Sequence, residues 1–210
     1  FLTSGRCVFS IPALLKAQER ARPMPSSSRQ MLTLMRWCQG NVTPKGPVNV
    51  LPGRLTVWHE PEKGKHYCIG ADVSEGLEGG DYSAAVVLER TTGEQVAELQ
   101  GLWRPDVFAR LLAALGALYR WAWIGVEANN HGHTTLHVLS QELFYPHMHH
   151  HVEPVRGAKP VLGYPTNAKT KAIMIDDLAA AIADEKIKIN SSSLIDECLT
   201  FVSVSYTHLR

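Results

Sequence analysis

The sequence predicts an α/β domain, a mixed β-sheet flanked by helices, preceded by an irregular, proline-rich segment. Three observations carry this. Two apolar runs of strand length, Tyr67–Val73 (YCIGADV) and Trp121–Val126 (WAWIGV), lead to the acids Asp72 and Glu127 and then to polar turns, SEGLEGGD and ANNHGH. The elements run strand, strand, strand, helix, strand, helix, an order that lays the Trp121 strand parallel to an earlier one through a helical crossover. Six prolines (Pro12, Pro23, Pro25, Pro44, Pro47, Pro52) and the run Ser26–Ser28 mark residues 1–53 as linker.

Within that linker, helical spacing occurs only around Ala13–Arg20 and Arg29–Trp37. Arg54–His59 (RLTVWH) alternates as a strand does, and the turn Pro61–Lys65 predicts a hairpin with the Tyr67 strand. Tyr82–Arg90 and Glu94–Leu102, joined by a turn at Thr92–Gly93, extend the meander. Pro105 suits a first helical turn, and Val107, Leu111, Leu112, Leu115 and Leu118 set a helix over Val107–Tyr119. After the Trp121 strand come a helix over Thr134–Leu143, another over Ala168–Asp184, a short strand Ile187–Ile189 and a helical turn or two at Leu194–Phe201. On the Ala168 helix the apolar face is Ala172, Ile175, Leu178, Ala179 and Ile182, which turns Asp176 and Asp177 to solvent.

Composition narrows the classes. The 210 residues are 45% hydrophobic and 20% charged, enough for one well-cored soluble domain with appendages. A formal charge of +1 carries no global nucleic-acid signature, so any such contact must come from a local patch. Cys7, Cys38, Cys68 and Cys198 form no CxxC pair, which argues against a zinc ribbon or a disulfide framework and fits a reducing compartment. The most apolar window, Val107–Val126, is broken by Arg110 and Arg120 and is no membrane span. The expectation is a cytoplasmic protein.

In both acid-ended strands a glycine precedes the acid by two residues, Gly70 before Asp72 and Gly125 before Glu127. Residues two apart share a strand face, so each acid has open space beside it. If the Trp121 strand pairs with the Tyr67 strand, the acids end side by side at the carboxyl edge of the sheet, where α/β folds place their sites. Two readings fit such a pair: a divalent-metal site, or strand-end acids satisfying turn amides. Asp81 is open in the same way, between metal ligand and turn residue. His131, His133, His137, His147, His149, His150 and His151 have no acid or cysteine fixed nearby to make a zinc site, and the HMHHH run reads as a solvated loop. Arg156, Lys159, Lys169 and Lys171 form the densest basic cluster near the predicted edge, either touching phosphates or solvated at a helix start.

These blocks resemble the nuclease domain of the large terminase subunit of tailed bacteriophages, a ribonuclease H-like fold. GRLTVWHEPEKGKHYCIGADVSEGLEGGDYSAAVV, IGVEANNHGHTTLHVL, and GYPTNAKTKAIMIDDLAAAIADEKIKI with LIDECLTF follow the family's order over residues 54–202. FLTSGRCVF is similar to the segment where the family's ATPase half ends. Residues 1–53 are therefore expected to be the end of that half plus linker, and 54–202 a nuclease domain incomplete at its C-terminal side. SVSYTHLR after Val202 does not continue the pattern and reads as a non-native tail over 203–210. No GxxxxGK[ST] phosphate loop occurs, so the packaging ATPase is not expected here.

The resemblance implies roles residue by residue. Asp72 matches the first-strand metal-binding aspartate and Glu127 the fourth-strand metal-binding glutamate. Asp81 matches an outer or second-metal ligand, and Lys171 a lysine near the DNA backbone. The family's last aspartate, on a C-terminal helix, finds no counterpart. The implied activity is an endodeoxyribonuclease that cuts concatemeric viral DNA during packaging with two Mg²⁺ (or Mn²⁺) ions. Two such ions about 3.5–4 Å apart activate a water, stabilise the leaving oxygen and relieve anionic repulsion. Implied partners are double-stranded DNA, the terminase small subunit, the portal of the procapsid and further copies of the chain, in the cytoplasm of an infected bacterial host. The competing expectations are a junction resolvase or RNA–DNA hybrid nuclease of the same fold, and a DNA-gripping or docking module that does not cut.

Overall fold

The computed structural model describes residues 7–202. Its centre is a six-stranded sheet of order β1-β4-β7-β6-β5-β8, built from β1 (Ser27–Arg29), β4 (Arg54–Val57), β5 (Tyr67–Asp72), β6 (Ser83–Glu89), β7 (Gln95–Gly101) and β8 (Trp123–Val126). Every pairing is antiparallel except β5 with β8, which is parallel with Gly70 opposite Gly125. Helix α2 (Pro105–Leu118) supplies the crossover, with Pro105 in its first turn.

Alternation divides the sheet into two faces. Leu55, Val57, Tyr67, Ile69, Ala85, Val87, Ala97, Leu99, Ile124 and Val126 are buried in one cluster with Phe108, Leu111, Leu112 and Leu115 of α2. The opposite face carries Cys68, Gly70 and Asp72 from β5, and Trp123 and Gly125 from β8 followed by Glu127. A second, smaller cluster joins α1 (Ile11–Ala21) to α4 (Ala168–Ala183) and α5 (Ser192–Thr200) through Leu14, Ile182, Ile189, Ile195 and Cys198. It is tied to the sheet at Gln95, whose Oε1 accepts from the backbone N–H groups of Asn190 (2.8 Å) and Ser191 (2.9 Å).

Several expectations change. Residues 7–50 are not an irregular linker: besides α1 and β1 they form a hairpin, β2 (Met31–Cys38) with β3 (Asn41–Asn49), that contributes Leu32 and Leu34 to the main core. Helical spacing over Arg29–Trp37 gives way to strand. Leu32 and Leu34 are buried between exposed Met31 and Thr33, a period of two that four residues of apolar spacing had masked. Pro44 and Pro47 are tolerated because β3 is an outer strand with one partner. The expected hairpin of Arg54–His59 with the Tyr67 strand does not form; β4 pairs with β7, and Trp58 N and His59 N extend that contact to Val96 O (2.9 and 3.2 Å). Residues 58–66, with Pro61 and Gly64, are too long for a tight turn and carry the chain past the places of β7 and β6 to that of β5.

The Thr134–Leu143 helix starts earlier, as α3 (Asn130–His137), and widens into a π-helical turn over Val138–Glu142. Ile187–Ile189 is reduced to one parallel bridge, Lys188 with Glu94. The 203–210 tail lies outside the described residues.

Candidate metal centre

β5 and β8 carry the site. Their parallel pairing ends with the Glu127 N–H donating to the Ala71 carbonyl (3.0 Å), which sets Glu127 beside Asp72 on the same face. The two carboxyl groups lie side by side, close enough for each to act on the other's charge. Crowding by protein atoms comes first, then the neighbouring Glu127 carboxyl, and together they push the Asp72 carboxyl up to about 6. The Val73 N–H and the Lys171 charge pull the other way. The space expected beside each acid is present at Gly70, where a Cβ would meet nothing, while Gly125 has the His149 side chain in ordinary contact.

Glu127 is braced from its far side. Ala128 N donates to Tyr164 O (2.8 Å) and Tyr164 N to Val126 O (2.9 Å), pinning the strand end. α3 then begins directly over it, capped by the Asn129 side chain, which accepts from Gly132 N (2.8 Å). Gly132 is required there, because a Cβ would collide with the Glu127 carbonyl oxygen.

The acids open into a cleft of about 450 Å³ whose other wall is the Ser74–Tyr82 loop. Glu75, Asp81, Asn129 and His131 also line it. The loop is anchored: Ser74 N donates to Ser83 Oγ (3.1 Å), and Gly76, at φ +74°, presses on the Trp103 backbone where a side chain would collide. His131 Nε2 and Glu75 Oε1 stand 3.2 Å apart. A second cleft, about 540 Å³ between Arg54 and Ser191, contains the single acid Glu98 and no acid pair.

Two adjacent carboxyl groups, one of them pushed up by burial and by its neighbour, are a fitting seat for a hard divalent cation, which takes oxygen ligands and removes their repulsion. Among the described residues no third His, Cys, Asp or Glu joins them closely enough for a three-ligand metal group, and the histidine-rich segment forms none either. Asp81 lines the cleft without joining the pair. Of the basic cluster, Lys171, exposed in the first turn of α4, is the cation whose charge reaches Asp72; Arg156, Lys159 and Lys169 are exposed and line no part of the cleft. Sequence reasoning passed over Glu75 as a loop residue and His131 as part of a histidine-rich stretch; Gly132 was the signal that this turn is tightly placed.

A parallel β5–β8 pair inside an otherwise antiparallel sheet, with facing acids at its carboxyl edge, defines a ribonuclease H-like α/β domain. The chain belongs to the family described as the terminase RNaseH-like domain, whose model matches residues 69–207. It is similar in structure to the large terminase nuclease from thermophilic phage G20c with bound magnesium, at TM-score 0.59 and 18% identity, covering 95% of this chain and 82% of that one. The same nuclease with bound cobalt gives the same figures. The Thermus phage P74-26 large terminase nuclease domain is similar at TM-score 0.51 and 22% identity, covering 70% of this chain and 68% of that one. No curated protein sequence matches the chain. Among the described residues no helix is long and apolar enough to cross a membrane.

Proposed function

We propose that this chain is the metal-dependent endodeoxyribonuclease part of a phage packaging terminase, cutting concatemeric viral DNA in the cytoplasm of the infected host. The observation that carries the reading is the side-by-side Asp72–Glu127 pair at the carboxyl edge of the sheet. Asp72 and Glu127 hold divalent ions, two Mg²⁺ or Mn²⁺, with Asp81 as an outer or second-ion ligand. Bound there, the ions supply Lewis acidity to the scissile phosphate and an activated water. The protein's own share is to orient: the strand tips fix the two carboxyl groups, and Gly70 keeps the floor beside Asp72 free of side chains. Lys171 contacts the DNA backbone, with Lys169, Lys159 and Arg156 adding charge along the approach. The magnesium and cobalt named for the G20c nuclease support the choice of a divalent ion. Double-stranded DNA, the small subunit, the portal and further copies of the chain are the partners this function requires.

Supercoiled plasmid incubated with Mg²⁺ or Mn²⁺ tests it. The chain nicks plasmid with either ion, EDTA stops it, and Asp72→Asn does not cut; an Asp72→Asn protein that cuts normally overturns the assignment. One observation favours a second reading, a module that grips DNA without cutting: no third carboxylate stands with the pair among the described residues. That reading predicts intact plasmid together with salt-sensitive retention of DNA.

A further inference from the structure

Four acids line the cleft, Asp72, Glu75, Asp81 and Glu127, yet the substrate proposed for it is an anion. His131 is the only side chain in the lining whose protonated form is a cation. Its placement is specified by the backbone: α3 begins at Asn130, the Asn129 cap fixes the first turn, and Gly132 lets that turn sit against the Glu127 carbonyl. Across the cleft, Glu75 Oε1 lies 3.2 Å from His131 Nε2, a contact that joins the helix wall to the loop wall. Glu75 itself is held by an anchored loop. The charges facing the imidazole are thus Glu75, Asp72 and Asp81 from the β5–β6 side and Glu127 beneath it, with Lys171 acting on Asp72 from α4.

We infer that His131 is a further catalytic residue of this site, protonating the leaving oxygen of the cut phosphodiester, and that Glu75 is its positioning residue. The inference rests on the nuclease reading above. As the water oxygen bonds to phosphorus, the bond from phosphorus to the leaving oxygen breaks and its electron pair stays on that oxygen. The oxygen takes the imidazolium proton, the proton lost by the water passes to solvent, and His131 regains a proton from solvent. Imidazole suits the task because it changes charge in the physiological range.

The test uses His131→Ala and Glu75→Gln with two DNA substrates, one ordinary and one with sulfur replacing the leaving oxygen. A departing thiolate needs no proton. On ordinary DNA, His131→Ala lowers kcat ~100-fold with KM little changed, and the alkaline fall of the pH–rate profile flattens. On the sulfur substrate it cuts at the wild-type rate. Glu75→Gln lowers kcat ~10-fold in the wild-type background and has no effect in His131→Ala. Equal losses on both substrates, or an unchanged rate on ordinary DNA, overturn the inference while leaving the nuclease reading intact. A wild-type chain that cuts neither substrate counts against that reading; the imidazole resonances of His131 then decide. A shift on adding a DNA duplex with Ca²⁺ upholds the contact, and the absence of a shift removes it.

Discussion

Asp72 is held in a setting that favours its neutral form, and this has a consequence for stability. Its carboxyl titrates at about 6 when folded and near 4 when unfolded. Between those values the folded chain binds more protons, so stability falls as pH rises from about 4 to about 6. A divalent ion removes the conflict. Thermal melts should therefore show the ion-free protein losing stability across that window, Mg²⁺ restoring it at neutral pH, and Asp72→Asn abolishing both effects. Lys171 gives a second expectation at this scale. Lys171→Ala should weaken DNA binding without regard to sequence and reduce the slope of log affinity against log salt by about 1; an unchanged slope would remove Lys171 from the interface. Both acids were legible because each ends an apolar run with a glycine two residues before it. Glu75 and His131 were not, since their contact joins a loop to a helix start and leaves no periodic trace in the chain.

Elements are set by their ends as much as by their apolar runs. Glu89 closes β6 by accepting the N–H groups of Thr91 and Thr92, each at 2.9 Å. The Thr91 amide first, then Thr92, hold its carboxyl well below the usual range, at about 2. The folded value is depressed, so the contribution is present above about 4.5 and is lost as pH falls toward about 2. Glu89→Gln should cost ~1–2 kcal/mol at neutral pH and flatten this acid limb, measured by urea unfolding at several pH values. Gly132→Ala forces α3 away from Glu127; a loss of ~1–3 kcal/mol with a larger fall in metal-dependent nicking is expected. Nicking that falls no further than stability would mean that the helix start does not position the acid. β5, β6, β7 and α2 were readable because burial on one face and a single turn residue, Gly93, decide them locally. The partner of β4 was not, because edge choice depends on where a long connection lands, and β2 hid its period of two among residues that also suit a helix.

At the scale of the molecule, the described residues hold two apolar clusters of unequal size. The larger lies between the sheet and α2; the smaller joins α1 to α4 and α5 and meets the sheet through Gln95. Leu14 is fully buried in the smaller one. Leu14→Ala should cost ~2–5 kcal/mol and speed hydrogen exchange in α1 and α5 while amides of β5 and β6 keep their protection. Loosening of all four together would show a single cooperative unit. The broad architecture was legible from the order of elements. The docking of α1 on α5 was not, since it joins stretches nearly two hundred residues apart that carry no mark of each other.

The parallel junction of β5 and β8 is the last long-distance closure the main sheet needs, and it alone brings the acids together. A nascent or half-folded chain therefore carries both residues but not the pair. Under the proposed function, hydrolytic hazard to nucleic acid is withheld until the sheet is complete, a safeguard that comes from topology and needs no inhibitor.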